Sequence, residues 1–262
     1  MNILETIIAK KKLEVNERKR NKSIAELENG PFFKNNVLDL KKYLLREDKT
    51  GIIAEFKRRS PSKGIINDTS TVAAVTTAYA KFGASGLSIL TDEEFFGGSL
   101  NDLLEATVNE VPLLRKDFMI DEYQLIESKA FGAEVILLIA ACLKKEKVKA
   151  LAASAKGIGL NVLLEIHNKE ELEHICDDVD VVGVNNRDLK TFTVDINRSI
   201  ELGKKIPADK MKISESGIDD VSTIRLLQAN GFRGFLMGEK FMKEKDPGEA
   251  FKNFVEELNK AQ

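Results

Sequence analysis

The chain of 262 residues is short of several features that define whole classes of protein. It has two cysteines, Cys142 and Cys176, with no Cys-x-x-Cys spacing. That offers no disulfide framework and fits the reduced thiols of a cytoplasmic protein. There are only two histidines, His167 and His174, so Glu165-Ile-His167 is half a metal site with no Cys or His cluster to complete it. No metal is expected. No uninterrupted apolar run approaches the length of a membrane span. The start, MNILETIIAKKKLEV, has an early glutamate and only a short apolar run, unlike a secretory signal or an acid-poor transit peptide. A net charge of -2 lacks the basic excess that nucleic acid would call for. The local basic stretch AKKKLEVNERKR is broken by acids and reads as a solvated helix face. No G-x-G-x-x-G follows the first strand, and SPSKG lacks the G-x-x-x-x-G-K spacing of a phosphate loop.

What is present is an alternation. Short runs rich in Val, Ile and Leu occur at GIIAEF (51–56), GLSIL (86–90), VPLLR (111–115), EVILLIA (134–140), NVLLEI (161–166), DVVGVN (180–185), KMKISES (210–216) and GFLMG (234–238). Each is too short for a helix and apolar enough for a strand covered on both faces. Between them lie stretches of helical period, among them Thr71 to Phe82, Asp121 to Phe131, Asn168 to Ile175 and Asp219 to Ala229, with Pro247 to Leu258 closing the chain. Several open on Asn or Asp and end near a glycine, the residues that cap helices. Eight strand–helix units in a chain of this length predict an α/β fold, a closed (β/α)8 TIM barrel, typically of about 250 residues. An open doubly wound sheet is the alternative. Residues 1–48 are expected to form an N-terminal helical extension, with helices at Ile3 to Arg18 and near Ile24, packed on a barrel of residues 49–262.

In such a barrel chemistry gathers at the C-terminal ends of the strands. Polar residues expected there are Glu55 and Lys57 on the first strand, Lys116 on the third and Glu165 on the fifth. Asn185 and Arg187 follow on the sixth, and Ser214 and Ser216 on the seventh. They take the parity of inward apolar residues, as Glu55 does with Ile53 and Glu165 with Leu163. The bland readings are a structural ion pair at the rim, a rim lysine and helix caps. Convergence from several strands favours a site. Gly217 and Gly238 follow the last two strands, where backbone N–H groups of this fold frequently hold phosphate. Tight turns are the plainer account of both. Pro61 and Gly64 shape a loop over the mouth, with Lys63 near the ligand. Phe95, Phe96 and Phe118 are either packing or the apolar walls of an aromatic site.

Six stretches taken together, IAEFKRRSPSKG, LTDEEFFGGS, PLLRKDFMID, LLEIH, GVNNRDL and SESGI, resemble in order those of the indole-3-glycerol phosphate synthase family. The resemblance spans nearly the whole chain. It implies conversion of 1-(2-carboxyphenylamino)-1-deoxyribulose 5-phosphate to indole-3-glycerol phosphate, carbon dioxide and water. It implies that Lys116 is the general acid of ring closure and that Glu165 and Lys57 transfer protons. Glu55 then balances the lysines, and Asn185 and Arg187 lie near the substrate's polar groups. Ser60 belongs to the S-P-S loop and Phe118 to the substrate pocket, while Lys57, Ser216, Gly217, Gly238 and Glu239 bind phosphate. The family's chemistry needs no cofactor. Its partners would be the small phosphorylated substrate and other tryptophan-pathway enzymes. Two other readings compete. A phosphoribosyl isomerase of the same barrel would be expected to use a cysteine or aspartate acid–base pair at strand ends, where neither cysteine sits. A catalytically silent ligand-binding paralogue should have lost some of the lysines and glutamates, and none is lost.

Overall fold

Eight strands, apolar on both faces, hydrogen-bond side by side until the last meets the first. The computed structural model describes residues 3–189 and 191–260; the outermost residues of the expected extension and barrel, 1–2 and 261–262, lie outside them. The strands are β1 (Ile52–Phe56), β2 (Gly86–Leu90), β3 (Leu113–Lys116), β4 (Val135–Ile139), β5 (Asn161–Ile166), β6 (Val181–Asn185), β7 (Met211–Glu215) and β8 (Gly234–Met237). All neighbours are parallel, and β1 pairs with both β2 and β8, which closes a (β/α)8 barrel.

Parity then sorts the side chains. Ile53, Leu114, Val135, Leu137, Leu163, Val181, Ile213 and Leu236 point inward and fill the barrel. The alternate residues, such as Ile52, Leu87, Ile136 and Val182, face the helices in a second apolar layer. The floor of the barrel is plugged by a short helix beyond the two expected among residues 1–48. Helix Leu40–Leu44, capped by the Asp39 carboxylate accepting from the Lys42 N–H, places Leu40 and Leu44 in the interior cluster. Gly86 and Gly234 make room for them; a Cβ on either would lie 3.4 or 3.0 Å from a leucine methyl.

The expected helices form at Val72–Lys81, Glu122–Ala130, Val221–Ala229 and Pro247–Lys260. Asp220, not Asp219, caps the third of these by accepting from the Thr223 N–H. The stretch Asn168 to Ile175 forms only a five-residue 3-10 turn, Glu170–His174. Its Glu171 turns back to accept the His167 backbone N–H, so the segment closes on the strand end and does not extend as an α-helix.

The N-terminal helix Ile3–Asn21 lies against the C-terminal end of the barrel near β2 and β3. Lys11, almost fully buried, is 3.0 Å from Asp92, 2.8 Å from Asp117 and 2.8 Å from Glu14. Arg115 points outward from β3 and joins Asp117 at 3.0 Å and Glu127 at 2.9 Å, and Arg18 of the helix meets the same Glu127 at 3.0 Å. Burial opposes the Lys11 charge, but the surrounding carboxylates overcome it and hold the ammonium above the usual lysine range. Removing one member of such a network leaves buried charge unmatched. Lys11→Met is therefore expected to cost about 3–5 kcal/mol of unfolding free energy. Urea denaturation of the variant beside the wild type measures it; a difference within experimental error would show that the network does not anchor the helix.

Candidate active site

The inward parity that fills the barrel with leucine and valine changes chemistry one step from its mouth. Glu55 follows Ile53, Lys116 follows Leu114, Glu165 follows Leu163, and Asn185 lies two turns of the pleat beyond Val181. These side chains enter a cavity of about 600 Å³. Glu55, Lys57, Ser60, Lys116, Phe118 and Glu165 all line it, as do Asn185, Arg187, Ser216, Gly217, Gly238 and Glu239. Phe96 is also on its wall, 6.2 Å from Phe118 between ring centroids, whereas Phe95 is not among its lining residues.

On the cavity floor the Lys116 ammonium stands 3.0 Å from Glu215, 3.6 Å from Glu55 and 3.8 Å from Glu165. Lys57 pairs with the other oxygen of Glu55 at 2.8 Å. Burial alone would strip the charge from Lys116, but the three carboxylates outweigh it and hold the group well above the lysine range. Burial also acts on Glu55, where Lys57 and Lys116 prevail and keep the carboxyl low.

Glu215 is the residue that strand-end reading passes over. On β7 the inward parity runs from Ile213 to Glu215, so Ser214 faces outward and is buried behind the wall. There Ser214 accepts from the Asn186 amide at 2.9 Å and lies 2.7 Å from the Ser199 hydroxyl. The expectation that Ser214 joins the site is thus corrected by the register with β6, which sets Ser214 opposite Val184 and Glu215 opposite Asn185. The signal for Glu215 was its spacing of two from Ile213. Gly183 makes its seat: a Cβ there would stand 2.3 Å from the Glu215 carboxylate. Burial pushes the Glu215 carboxyl up to about 7, opposed by Lys116 and reinforced by Glu165 and Glu55. Burial pushes on Glu165 too, yet His167, 3.2 Å away, and Lys116 hold that carboxyl below its usual range. Burial and the neighbouring charges thus push the two carboxyls in opposite directions, Glu215 toward its neutral form and Glu165 toward its charged one.

The opposite rim is built of backbone. Ser216 and Gly217 are both left-handed, at φ 66° and 72°. Such a conformation is costly for serine and persists where the surroundings impose it. A Cβ on Gly217 would also meet Val194 at 2.2 Å. Gly238 lies against Glu55, leaving 2.8 Å to its Cβ for any added side chain. The Glu239 carboxylate is matched by Arg187 at 3.1 Å and Lys63 at 3.4 Å. The loop after β1 pairs Arg59–Ser60 with Gly64–Ile65 as a short hairpin over the mouth. Arg58 anchors its base: one guanidinium nitrogen donates to Asp102 at 2.8 Å, and another donates to the Gly97 carbonyl at 3.1 Å. Among the described residues no group of three His, Cys, Asp or Glu is placed to hold a metal ion.

A family model described as indole-3-glycerol phosphate synthase matches residues 4–254. An indole-3-glycerol phosphate synthase of Bacteroides thetaiotaomicron is 48% identical over 98% of this chain and 99% of its own. One from Chromobacterium violaceum is 42% identical over 95% and 96%. Among solved structures a tryptophan synthase α-subunit from Pyrococcus furiosus superposes with a TM-score of 0.63, at 16% identity, over 81% of this chain and 99% of that one. At that identity the likeness shows the barrel fold alone.

The raised Glu215 carboxyl has a consequence for stability. The native state keeps this proton to about pH 7, while an unfolded glutamate loses it near pH 4.3. Between those values the native state binds more protons, so its stability falls as pH rises. Glu215→Gln removes that penalty. The variant should match the wild type near pH 4 and exceed it by about 3–4 kcal/mol near pH 8. Denaturant titrations at the two pH values test this, and equal stability at both would contradict the raised carboxyl.

Proposed function

The chain belongs to the indole-3-glycerol phosphate synthase family, and on that premise we propose that Lys116 is the acid that drives its ring closure. The enzyme is a lyase of tryptophan biosynthesis. It closes the ring of 1-(2-carboxyphenylamino)-1-deoxyribulose 5-phosphate with loss of carbon dioxide and water. As the aryl carbon attacks the ketone, negative charge grows on the carbonyl oxygen. An ammonium beside it stabilises the charge and delivers a proton. The observation that carries this assignment is the Lys116 ammonium at the cavity floor, gripped by carboxylates from three other strands. Their spacing keeps it charged and aimed inward.

The other roles follow from position. Glu165 and Lys57 exchange protons as the hydroxyl leaves, and Glu55, within reach of both lysines, balances their charge. Phe118 offers an apolar wall to the aryl ring. Asn185, Arg187 and Ser60 hold the polar groups around it. We assign the phosphate to the backbone of Ser216, Gly217, Gly238 and Glu239, with Lys57 at its edge, in the loops after the last two strands. Neutralisation of the Glu239 carboxylate by Arg187 and Lys63 supports its place beside an anion.

Residues 1–48 we read as an extension serving the site. Ile3, Leu4 and Ile7 of its helix line the cavity, and Lys11 ties it to Asp117, the neighbour of Lys116. We further propose that the enzyme works in the cytoplasm and passes its product to other tryptophan-pathway enzymes. No described helix is long and apolar enough to cross a membrane.

Incubation of the purified protein with the carboxyphenylamino deoxyribulose phosphate should yield indole fluorescence. Lys116→Ala should lower kcat about a hundredfold or more, as expected for loss of an acid and its charge. Turnover near that of the wild type in this variant would refute the assignment.

A further inference from the structure

The reaction consumes a proton. The carbonyl oxygen takes one as the carbon–carbon bond forms. Carbon dioxide leaves without a proton, its bonding pair returning to the ring. The hydroxyl takes a second proton to depart as water, and the methylene beside nitrogen releases one as the double bond forms. Two protons in and one out leave one to be drawn from solvent in each turnover. Groups inside the cavity can lend this proton, but whichever group lends it has to be reloaded from solvent before the next turnover.

A second way in runs through the barrel wall at the end of β5. Glu165 faces Lys116 with Oε2 and His167 with Oε1, the latter at 3.2 Å from His167 Nε2. The other ring nitrogen, Nδ1, is 3.4 Å from Glu171 Oε2. Glu171 is held by the His167 backbone N–H at 2.7 Å and by the Asn168 side-chain amide, which donates to Oε1 at 2.8 Å. Asn168 is exposed, while His167 and Glu171 are each buried to 8% exposure. Cys142, on the turn after β4, senses both glutamates; burial pushes its thiol up, so it brings no charge. Lys116, across Glu165, is the other cation facing the chain.

We propose that His167 relays a solvent proton to Glu165 in the cavity by way of Glu171, which lies beside the exposed Asn168, and so acts as a positioning residue for Glu165. The imidazolium gives its Nε2 proton to the Glu165 carboxylate at Oε1, and the carboxyl so formed delivers that proton to the departing hydroxyl. The neutral ring takes a replacement at Nδ1 from solvent by way of Glu171. No oxidant or cofactor enters. Burial works against the ring's charge, but the glutamates on its two sides raise its pKa to about 9, so the relay is loaded at neutral pH. The inference rests on the reading of Glu165 as a proton-transfer group.

Two measurements test it. The chain has only two histidines, so ring ¹⁵N spectra of histidine-labelled wild-type protein, with His174→Gln for assignment, report the charge on His167 directly. An imidazolium at pH 7.5, lost near pH 9 and at lower pH in Glu171→Gln, is expected; a neutral ring at pH 7.5 would overturn the relay. In kinetics, His167→Gln should lower kcat about tenfold or more, with KM little changed, and abolish the fall of kcat with pH around 9. Imidazole added to His167→Ala should restore part of the loss. Wild-type kcat in His167→Gln, or an unaltered pH profile, would refute the proposal. If Lys116→Ala and Glu165→Gln lose turnover while His167→Gln does not, the relay alone fails; if Lys116→Ala stays active, the reading of the site fails first.

Discussion

A charged lysine at the floor of an apolar barrel has to be matched, and most of the mouth follows from that need. Lys116 cannot keep its proton in such a place without carboxylates around it. Three glutamates, from β1, β5 and β7, meet this demand. They in turn repel one another, so one is held by a second cation, His167, and another is pushed toward its neutral form. Glycine at 183 then becomes a requirement, because the space its side chain would fill belongs to Glu215. A cluster of this kind is poised to move protons because no single arrangement satisfies every member.

The same strand supplies a second balance facing the other way. Lys116 points inward, and its neighbours Arg115 and Asp117 are buried in the layer outside, linked to Lys11 and Arg18 of the N-terminal helix. The helix thus grips the residues that flank the site's central cation. Its apolar end also forms part of the cavity wall. The N-terminal helices and the barrel are joined both by this matched charge and by apolar packing, of Val15 and Leu27 against Tyr123 and Ala130 and of Leu40 and Leu44 in the barrel interior.

The loops divide the work differently. After β7 and β8 the backbone itself approaches the ligand space, with Ser216 in a conformation that serine rarely takes. After β1 a short hairpin covers the mouth, its base held by Arg58 on Asp102. After β5 the chain closes at once on its strand end through Glu171 and His167, so a charged path lies where an α-helix would have led away.

Strand number, barrel closure and most of the cavity lining were legible in the sequence, because period-two burial and the placement of polar residues at strand ends are local properties. Glu55, Lys57, Lys116 and Glu165 announce themselves by sharing parity with apolar neighbours. The rest depended on partners distant in the chain. Whether Ser214 or Glu215 faces inward is fixed by the register of β7 on β6, and in the run Met-Lys-Ile-Ser-Glu the one local signal was the spacing of Glu215 by two from Ile213. The plug Leu40–Leu44 and the burial of Lys11 exist only because a closed barrel presents an open end and two aspartates to them. His167 reads as an idle strand end until folding sets Glu165 and Glu171 on its two sides. Sequence alone determined which chemical groups the molecule has and roughly where along each strand they fall. Tertiary structure decided which of them touch, and through that contact which are charged, since the pKa of a buried group is set by its neighbours in space.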